Sequence, residues 1–359
     1  MAAKQDGVDR AGVNRVAVNR GKPLGRTLGL VVAACTLFLA ACSEGSDDTE
    51  LAAIPSVPVE RCVTVAGAME PGPVRGSWTH AVTRTDLQSI ASAGFDTVRL
   101  PVPLADFTGE EAPFEMEEDA LERLDTVVDW ALGANLNVIL AVSGFDALEA
   151  DVAAQSGRLN RIWLQVAEQY RTERGSILFE LLDAPGEALS GEALDELTAV
   201  IVKQVRGVDR RRWLIIPTGH GGDIGALDKV QPPADARTIL TFRYFDPVEV
   251  TAPAADAAAG VEWGSTDEFR TMLADLQVAA DVRDRTRRPV MLGGFGVTSA
   301  VPDVMRARWV RAVRRTAEDQ GMAWCHMAFA GDGGIFDTES NRWSPELVDA
   351  LFRDDGALN

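Results

Sequence analysis

Short apolar runs alternate with longer amphipathic stretches from residue 62 almost to the end of the chain. The apolar runs are rich in Val, Ile and Leu and show little polar alternation, which is typical of parallel strands covered by helices. We predict eight strands, at Cys62–Ala66, Asp96–Leu100, Asn137–Val142, Ser176–Leu182, Trp213–Pro217, Thr238–Tyr244, Pro289–Gly293 and Met322–Phe329.

The stretches between these strands have the period of amphipathic helices. We predict helices at Thr85–Ala93, Glu117–Gly133, Gly157–Arg174, Gly191–Val208, Thr266–Arg285 and Val304–Gln320, and shorter ones at Ile224–Val230 and Pro345–Phe352. Thr83, Ser190 and Ser344 stand where a short polar side chain caps the first turn of a helix.

This alternation predicts the fold class, an α/β (β/α)8 TIM barrel. Eight βα units over roughly 300 residues fit one barrel, for which about 250 residues are typical. A doubly wound open sheet uses similar elements, but no Gly-rich phosphate-binding turn follows the first strand. We therefore predict a single barrel domain at residues 59–355.

Residues 1–41 have the features of an export signal. Six basic residues precede an apolar run at Leu28–Ala41, which is shorter than the about 20 residues of a membrane-spanning helix. Leu39-Ala40-Ala41-Cys42 resembles the lipobox of bacterial lipoproteins, in which the Cys is lipidated and becomes the first mature residue. The alternative is an ordinary secretory signal with an incidental Cys42. We expect a protein anchored to the membrane at the bacterial cell envelope.

Residues 42–58 are predicted to be a flexible tether. Ser43–Val57 is polar and acidic at first and then contains Pro, a composition that favours an unfolded linker. A chain of this length would hold the barrel about 20 Å from the membrane.

Charge and composition limit the possible partners. The chain carries −19, and removal of its +4 leader leaves −23, which argues against a nucleic-acid partner and against a basic membrane-binding surface. The chain has three histidines and no metal-type Cys/His spacing, which argues against a metal site. We predict no metal and no cofactor.

Two cysteines remain after removal of the signal and lipidation of Cys42. Cys62 and Cys325 lie in the first and last predicted strands, which are neighbours if the barrel closes. Disulfides persist in exported proteins, so the two sulfurs either form a bond or remain as buried free thiols.

Two strand-end sequences carry a family resemblance. Residues 177–185 read ILFELLDAP and residues 289–296 read PVMLGGFG. They resemble strand ends of the cellulase-like glycoside hydrolase family 5, where the first reads Phe-Glu-Leu-Leu-Asn-Glu-Pro and the second Gly-Glu-Phe-Gly. Both Glu are catalytic in that family. The matching positions here are Ala184 and Gly294. Residues 90–102, 241–247 and 324–329 extend the resemblance, which covers nearly all of residues 60–350.

The resemblance implies retaining hydrolysis, which needs two carboxyl groups about 5–5.5 Å apart. Ala184 and Gly294 supply neither, so we expect family-type hydrolysis to be absent. The supporting positions also differ: Ser143 and Arg243 stand where the family has His, Asp183 where it has Asn, Phe245 where it has Tyr, and Met327, or else His326, where it has the platform Trp. Of this set Arg99 is kept.

Several remaining residues are candidates for ligand contact or for structural pairing. Arg99 is expected to pair with Asp183 or Glu180, because a buried Arg needs a partner. Asp183 and Arg243 either neutralise each other or bind a ligand at the barrel mouth. Loop tryptophans can stack on sugar rings or pack down; they are Trp78, Trp263 and Trp343.

These observations favour a non-catalytic protein that binds a β-linked glycan or an envelope protein, with Arg99, Asp183, Arg243, Trp78 and Met327 as ligand-binding candidates. A second hypothesis is an active hydrolase with relocated carboxylates. It would pair Asp183 with Asp146, Asp246 or Asp332, although most strand-end aspartates, Asp223 included, are expected to be turn residues. A third is a purely structural envelope protein.

Overall fold

Eight parallel strands form a closed barrel in the order in which they occur in the chain, and the last strand pairs with the first. The structure is a computed structural model that describes residues 53–71, 77–78, 82–173 and 175–353. The strands are β1 (Arg61–Thr64), β2 (Thr97–Val102), β3 (Asn137–Val142), β4 (Ile177–Glu180), β5 (Leu214–Pro217), β6 (Thr238–Arg243), β7 (Val290–Phe295) and β8 (Ala323–His326). The predicted (β/α)8 barrel is thereby confirmed.

Ten α-helices are assigned in the described residues, most of them on the outside of the barrel. They are α1 (Arg84–Ala93), α2 (Glu118–Gly133), α3 (Asp146–Ala150), α4 (Val152–Gln169), α5 (Gly191–Val208), α6 (Ile224–Leu227), α7 (Val248–Thr251), α8 (Thr266–Thr286), α9 (Asp303–Asp319) and α10 (Pro345–Phe352). A short hairpin of β9 (Phe336–Asp337) and β10 (Arg342–Trp343) precedes α10. Thr83 and Asp86 form a reciprocal capping box at the start of α1.

The amino-terminal half of the barrel interior is apolar. Alternate residues of each strand point inward, and those near the strand starts, such as Ile139, Leu178 and Ile239, form one buried cluster with Cys62 and Cys325. The outward residues pack against the helices in a second, larger cluster. The inward residues nearer the carboxyl ends include Arg99, Glu180 and Thr241, so the interior becomes polar toward the mouth.

A disulfide joins the strands at which the barrel closes. Cys62 of β1 and Cys325 of β8 are paired in register, and the structure records a bond between their sulfurs with a Cα–Cα distance of 4.1 Å. Both side chains are fully buried in the apolar cluster. The bond connects residues 263 positions apart, so it links the two ends of the barrel sequence.

The predicted bounds of strands and helices differ from the structure mainly at the ends of elements, where loops begin. The fourth strand ends at Glu180 and the eighth at His326, because the residues that follow turn away to form the mouth of the barrel. The helix predicted from Gly157 begins at Val152, where the side chain of Asp151 accepts a hydrogen bond from the Ala154 amide. The short helices α3 and α7 and the β9–β10 hairpin were not predicted.

The predicted signal peptide at 1–41, the lipidation site Cys42 and most of the tether lie outside the described residues. Residues 53–60 of the tether region contain no helix or strand. Within the described part of the chain, no helix is long and apolar enough to cross a membrane. Residues 51–359 make up one compact unit with its own core, so we expect that unit to fold without the leader.

Replacing both disulfide cysteines, Cys62→Ala with Cys325→Ala, should lower the free energy of unfolding by about 2–5 kcal/mol, because the unfolded chain loses its long closed loop. Urea denaturation of residues 43–359 measures the loss, and the reduced wild-type protein is the matched control. Two thiols per chain that react in denaturant without a reductant would contradict the bond.

Candidate functional site

A pocket of about 520 Å³ opens at the carboxyl ends of the strands. Its floor contains Arg99, Asp183 and Arg243, which come from β2, the loop after β4 and the end of β6. The end of a parallel strand is where barrel side chains reach a common opening. We call this cavity the mouth pocket; its apolar and weakly polar walls include Pro71, Pro101, Pro103, Ser143, Phe245 and Met327.

Arg99 is held by a bidentate ion pair beneath the mouth pocket. Its Nε donates to Oε2 of Glu180 at 2.7 Å, and its Nη2 donates to Oε1 of the same residue at 2.8 Å. Arg99 is 2% exposed and Glu180 is 5% exposed. In a buried pair with this fork geometry the two charges balance each other through two hydrogen bonds.

Asp183 connects this pair to Arg243. Nη2 of Arg99 donates to Oδ1 of Asp183 at 2.7 Å, and Nη2 of Arg243 donates to the same oxygen. The result is a chain of alternating charges, Glu180–Arg99–Asp183–Arg243, which we call the charge network. It contains two cations and two anions and is therefore neutral when all four groups are ionised.

The charge network shifts the pKa values of Asp183 and Arg99 toward their charged forms. Burial opposes ionisation of Asp183, but the charges of Arg99 and Arg243 outweigh burial and hold its pKa below the ordinary value. Burial likewise disfavours the charged form of Arg99, and Glu180 with Asp183 overcomes it, so the pKa of Arg99 rises. Asp183 is thus a carboxylate near neutral pH and has no proton to donate.

The side chain of Arg243 lies between two glycines. A Cβ at Gly294 would stand 3.2 Å from Cγ of Arg243, and a Cβ at Gly222 would stand 3.1 Å from the same atom. Gly222 also has a φ of 88°, which favours glycine. A larger residue at 294 would need the Arg243 side chain, which packs on this face of β7, to shift by a few tenths of an ångström.

Ala184 lies beside a second, smaller cavity of about 280 Å³. Its φ is 47°, a left-handed conformation that is uncommon for alanine. Asp146, Glu149 and Asp183 also line this cavity. Oε1 of Glu149 accepts a hydrogen bond from the Gly186 amide at 2.6 Å, so the Glu149 carboxylate is tied to the loop that follows β4.

Met327, and not His326, faces the mouth pocket. Met327 is half-buried and packs so closely that a Cβ at Gly296 would overlap its side chain. His326 is fully buried on the outer side of β8, where its ring meets Phe295 edge-on. Burial lowers the pKa of His326 to about 3, so the ring is neutral near pH 7.

The three loop tryptophans pack against the protein and are not among the described residues that line the mouth pocket. Trp78 meets Phe107 edge-on, with the Arg123 guanidinium 5.8 Å from its ring centre. Trp263 is 3% exposed. The Trp343 indole donates to Ser89 and stacks within a cluster of phenylalanines.

Of the three aspartates that could pair with Asp183, only one lines a cavity together with it. Asp146 shares the smaller cavity with Asp183, whereas Asp246 and Asp332 line neither cavity. Asp332 accepts a hydrogen bond from the Ser299 amide, and Asp223 accepts one from the Gly225 amide. Burial and three neighbouring carboxylates raise the pKa of Asp246.

Two carboxylates of the mouth pocket were not predicted as site residues. Glu70 follows β1 and Asp106 follows β2, and both are exposed at the rim. Their positions beyond strand ends could have indicated the site. Acidic residues are so frequent in this chain, however, that such a position does not single them out.

The chain matches the family model described as cellulase (glycosyl hydrolase family 5) over residues 65–329. Endoglucanase H of Acetivibrio thermocellus is 26% identical over 286 residues, which are 78% of this chain and 31% of that protein. Endoglucanase C of the same organism is 24% identical, covering 76% of this chain and 91% of that protein. The chain therefore spans about a third of the length of the first relative.

Solved structures show the same similarity. Endoglucanase Cel5A of Thermotoga maritima superposes with a TM-score of 0.77 at 26% identity, covering 81% of this chain and 96% of that one. Cellulose synthase subunit Z of Clostridioides difficile gives 0.76 at 25% identity, covering 82% and 99%. The Cel5A structures include complexes with cellobiose and with mannotriose.

We expect the losses of stability within the charge network to be non-additive. Asp183→Asn should lower the free energy of unfolding by about 3 kcal/mol, because it leaves two guanidiniums with one carboxylate. Adding Arg243→Met should recover part of that loss, because Arg99 and Glu180 then balance each other. Urea denaturation at pH 7 measures Asp183→Asn, Arg243→Met and the double variant, as non-additivity requires. The exposed pair Asp267–Arg270 provides a control, Asp267→Asn, with little expected effect.

The effect of Asp183 should also depend on pH. Because its folded pKa is lowered, its contribution is complete above the unfolded value of about 4 and is lost as the pH falls through the folded pKa. The difference between wild type and Asp183→Asn should therefore shrink below pH 4. Additive losses at pH 7, or a difference that grows in acid, would contradict the network.

Proposed function

Because this chain belongs to the cellulase family, glycosyl hydrolase family 5, we propose that it is a cell-envelope lipoprotein whose barrel mouth binds a β-linked glycan without hydrolysing it. The observation that carries this proposal is the position of Arg243. Its side chain lies against Gly294, the position that the sequence resemblance assigns to the catalytic nucleophile. A protein of the envelope is the other candidate occupant of the mouth pocket.

The chemistry of the mouth pocket supports the absence of hydrolysis. Retaining hydrolysis needs one ionised carboxylate as nucleophile and one protonated carboxyl group as acid. Asp183 remains ionised, and its Oδ1 accepts from two guanidiniums. That carboxylate cannot protonate a leaving group, and its negative charge is already neutralised. Ala184, at the position assigned to the acid, has a methyl group only.

The shape of the mouth pocket supports glycan binding. A cavity of about 520 Å³ lies within the range of ligand sites in proteins. Phe245 and Met327 offer apolar surface to a sugar face, while Ser143 and the partly exposed Arg243 offer hydrogen bonds to hydroxyl groups. A relative of known structure, Thermotoga maritima Cel5A, is described in complexes with cellobiose and mannotriose.

The location at the envelope rests on the leader sequence. The apolar run ends at Leu39-Ala40-Ala41-Cys42, the lipobox-like sequence. Replacement of Cys42→Ala should move the protein from the membrane fraction to the soluble exported fraction, because a lipid anchor at Cys42 is then lost. Cys35→Ala in the same leader is the matched control. Membrane association that survives Cys42→Ala would overturn the anchor.

One observation favours a second function, hydrolysis by relocated carboxylates. Asp146 and Asp183 line the same small cavity beside Ala184. An enzyme of this kind would lose activity on replacement of either residue. The assay that tests the main proposal also tests this one.

The assay is release of reducing ends from β-linked glucans, mannans and xylans by residues 43–359. We expect no release above the background of a blank without protein. Asp183→Asn and Asp146→Asn are measured alongside the wild type. Release that disappears in either variant would establish a relocated active site and overturn the proposal. Glycan binding, measured on the same oligosaccharides by calorimetry, should weaken about tenfold in Arg243→Met if two hydrogen bonds are lost.

A further inference from the structure

The mouth pocket has an uneven distribution of charge. Its floor is occupied by Arg99, Asp183 and Arg243, whose charges are balanced once buried Glu180 is included. Its rim holds Glu70 and Asp106, which form no ion pair with any described residue. The rim therefore contributes two negative charges that nothing in the described part of the site neutralises.

The two rim carboxylates lie on the same side of the mouth pocket. Glu70 follows β1 and Asp106 follows β2, and these two strands are neighbours in the barrel. Met327 follows β8, which pairs with β1, and Phe245 follows β6; both contribute apolar wall to the pocket. A ligand in the pocket would thus meet two carboxylates on the β1–β2 side together with apolar surface.

A buried donor supplies an independent sign of a ligand. Arg99 uses Nε and Nη2 for its hydrogen bonds, and its Nη1 has no hydrogen-bond partner among the described residues. Arg99 is 2% exposed, yet it lines the mouth pocket, and Nη1 is not among the fully enclosed unpaired atoms. This donor is therefore open to a ligand oxygen from the pocket.

We propose that the mouth pocket prefers a β-linked glycan bearing protonated amines, such as a glucosamine oligomer, over a neutral glucan. The amines would lie toward Glu70 and Asp106, and a ring or hydroxyl oxygen would accept from Nη1 of Arg99. This inference rests on the proposed glycan-binding function and names its ligand class. Anionic glycans are disfavoured, since the chain is strongly acidic and the two cations of the floor are already paired.

Calorimetry with three oligosaccharide probes tests the inference. The probes are the β-1,4-linked glucosamine tetramer, cellotetraose, which has hydroxyls in place of the amines, and tetragalacturonate, which is anionic. At mildly acidic pH and low salt, the glucosamine tetramer should bind residues 43–359 about tenfold more tightly than cellotetraose, the scale of two partly exposed ion pairs. The preference should shrink as salt is added.

Variants that remove carboxylates test whether the preference for the glucosamine tetramer comes from Glu70 and Asp106. Glu70→Gln with Asp106→Asn should bring the glucosamine tetramer and cellotetraose to similar affinities. Glu110→Gln with Glu111→Gln removes two exposed carboxylates outside the mouth pocket and should preserve the preference.

The contrary outcomes separate this inference from the proposed function. Equal binding of glucosamine tetramer and cellotetraose would overturn the inference and leave glycan binding intact. Tighter binding of tetragalacturonate, or a preference that persists in the rim variant, would overturn it as well. If none of the three probes binds, both the inference and the glycan-binding proposal are wrong.

Discussion

Charge balance inside the barrel is the constraint on which the account of this site depends. A guanidinium as deeply buried as that of Arg99 must be paired, because an isolated charge in such a place costs several kcal/mol. Glu180 satisfies one side of Arg99 and Asp183 the other, and Arg243 then compensates Asp183. Each charge in the network is compensated only while the neighbouring charge is present. The four residues therefore form one unit, and its neutrality explains how the floor of the mouth pocket can be stable without a ligand.

The same unit connects the scaffold to the proposed absence of hydrolysis. The amino-terminal half of the barrel interior is an apolar cluster that contains the Cys62–Cys325 bond. The residues of this cluster are separate from those that line the mouth pocket at the opposite end. The carboxyl ends are free to change, as is general for this fold. Here Arg243 lies against Gly222 and Gly294, and a side chain at position 294 would need Arg243 to shift by a few tenths of an ångström. A carboxylate there would meet the Arg243 guanidinium and be neutralised by it, as Asp183 is.

The sequence was sufficient for the fold and for part of the site. Runs of Val, Ile and Leu at regular intervals predicted the barrel, and strand-end motifs placed Arg99, Asp183 and Arg243 at one opening. The alternatives for the partner of Arg99, Glu180 or Asp183, proved not to exclude each other, since both carboxylates contact it. Other features depend on contacts between distant loops, which have no period in the sequence. Examples are the packing of Trp78 on Phe107 and the position of Gly222 beneath Arg243.

Stepwise restoration of the family residues is the most direct test of the claim that the charge network excludes hydrolysis. One variant carries Ala184→Glu and Gly294→Glu, and a second adds Asp183→Asn and Arg243→His. Release of reducing ends from cellotetraose is measured for both. The account predicts no activity in the first variant, because Arg243 still lies against position 294, and measurable activity in the second. Equal activity in the two variants, or hydrolysis by the wild-type chain, would contradict it.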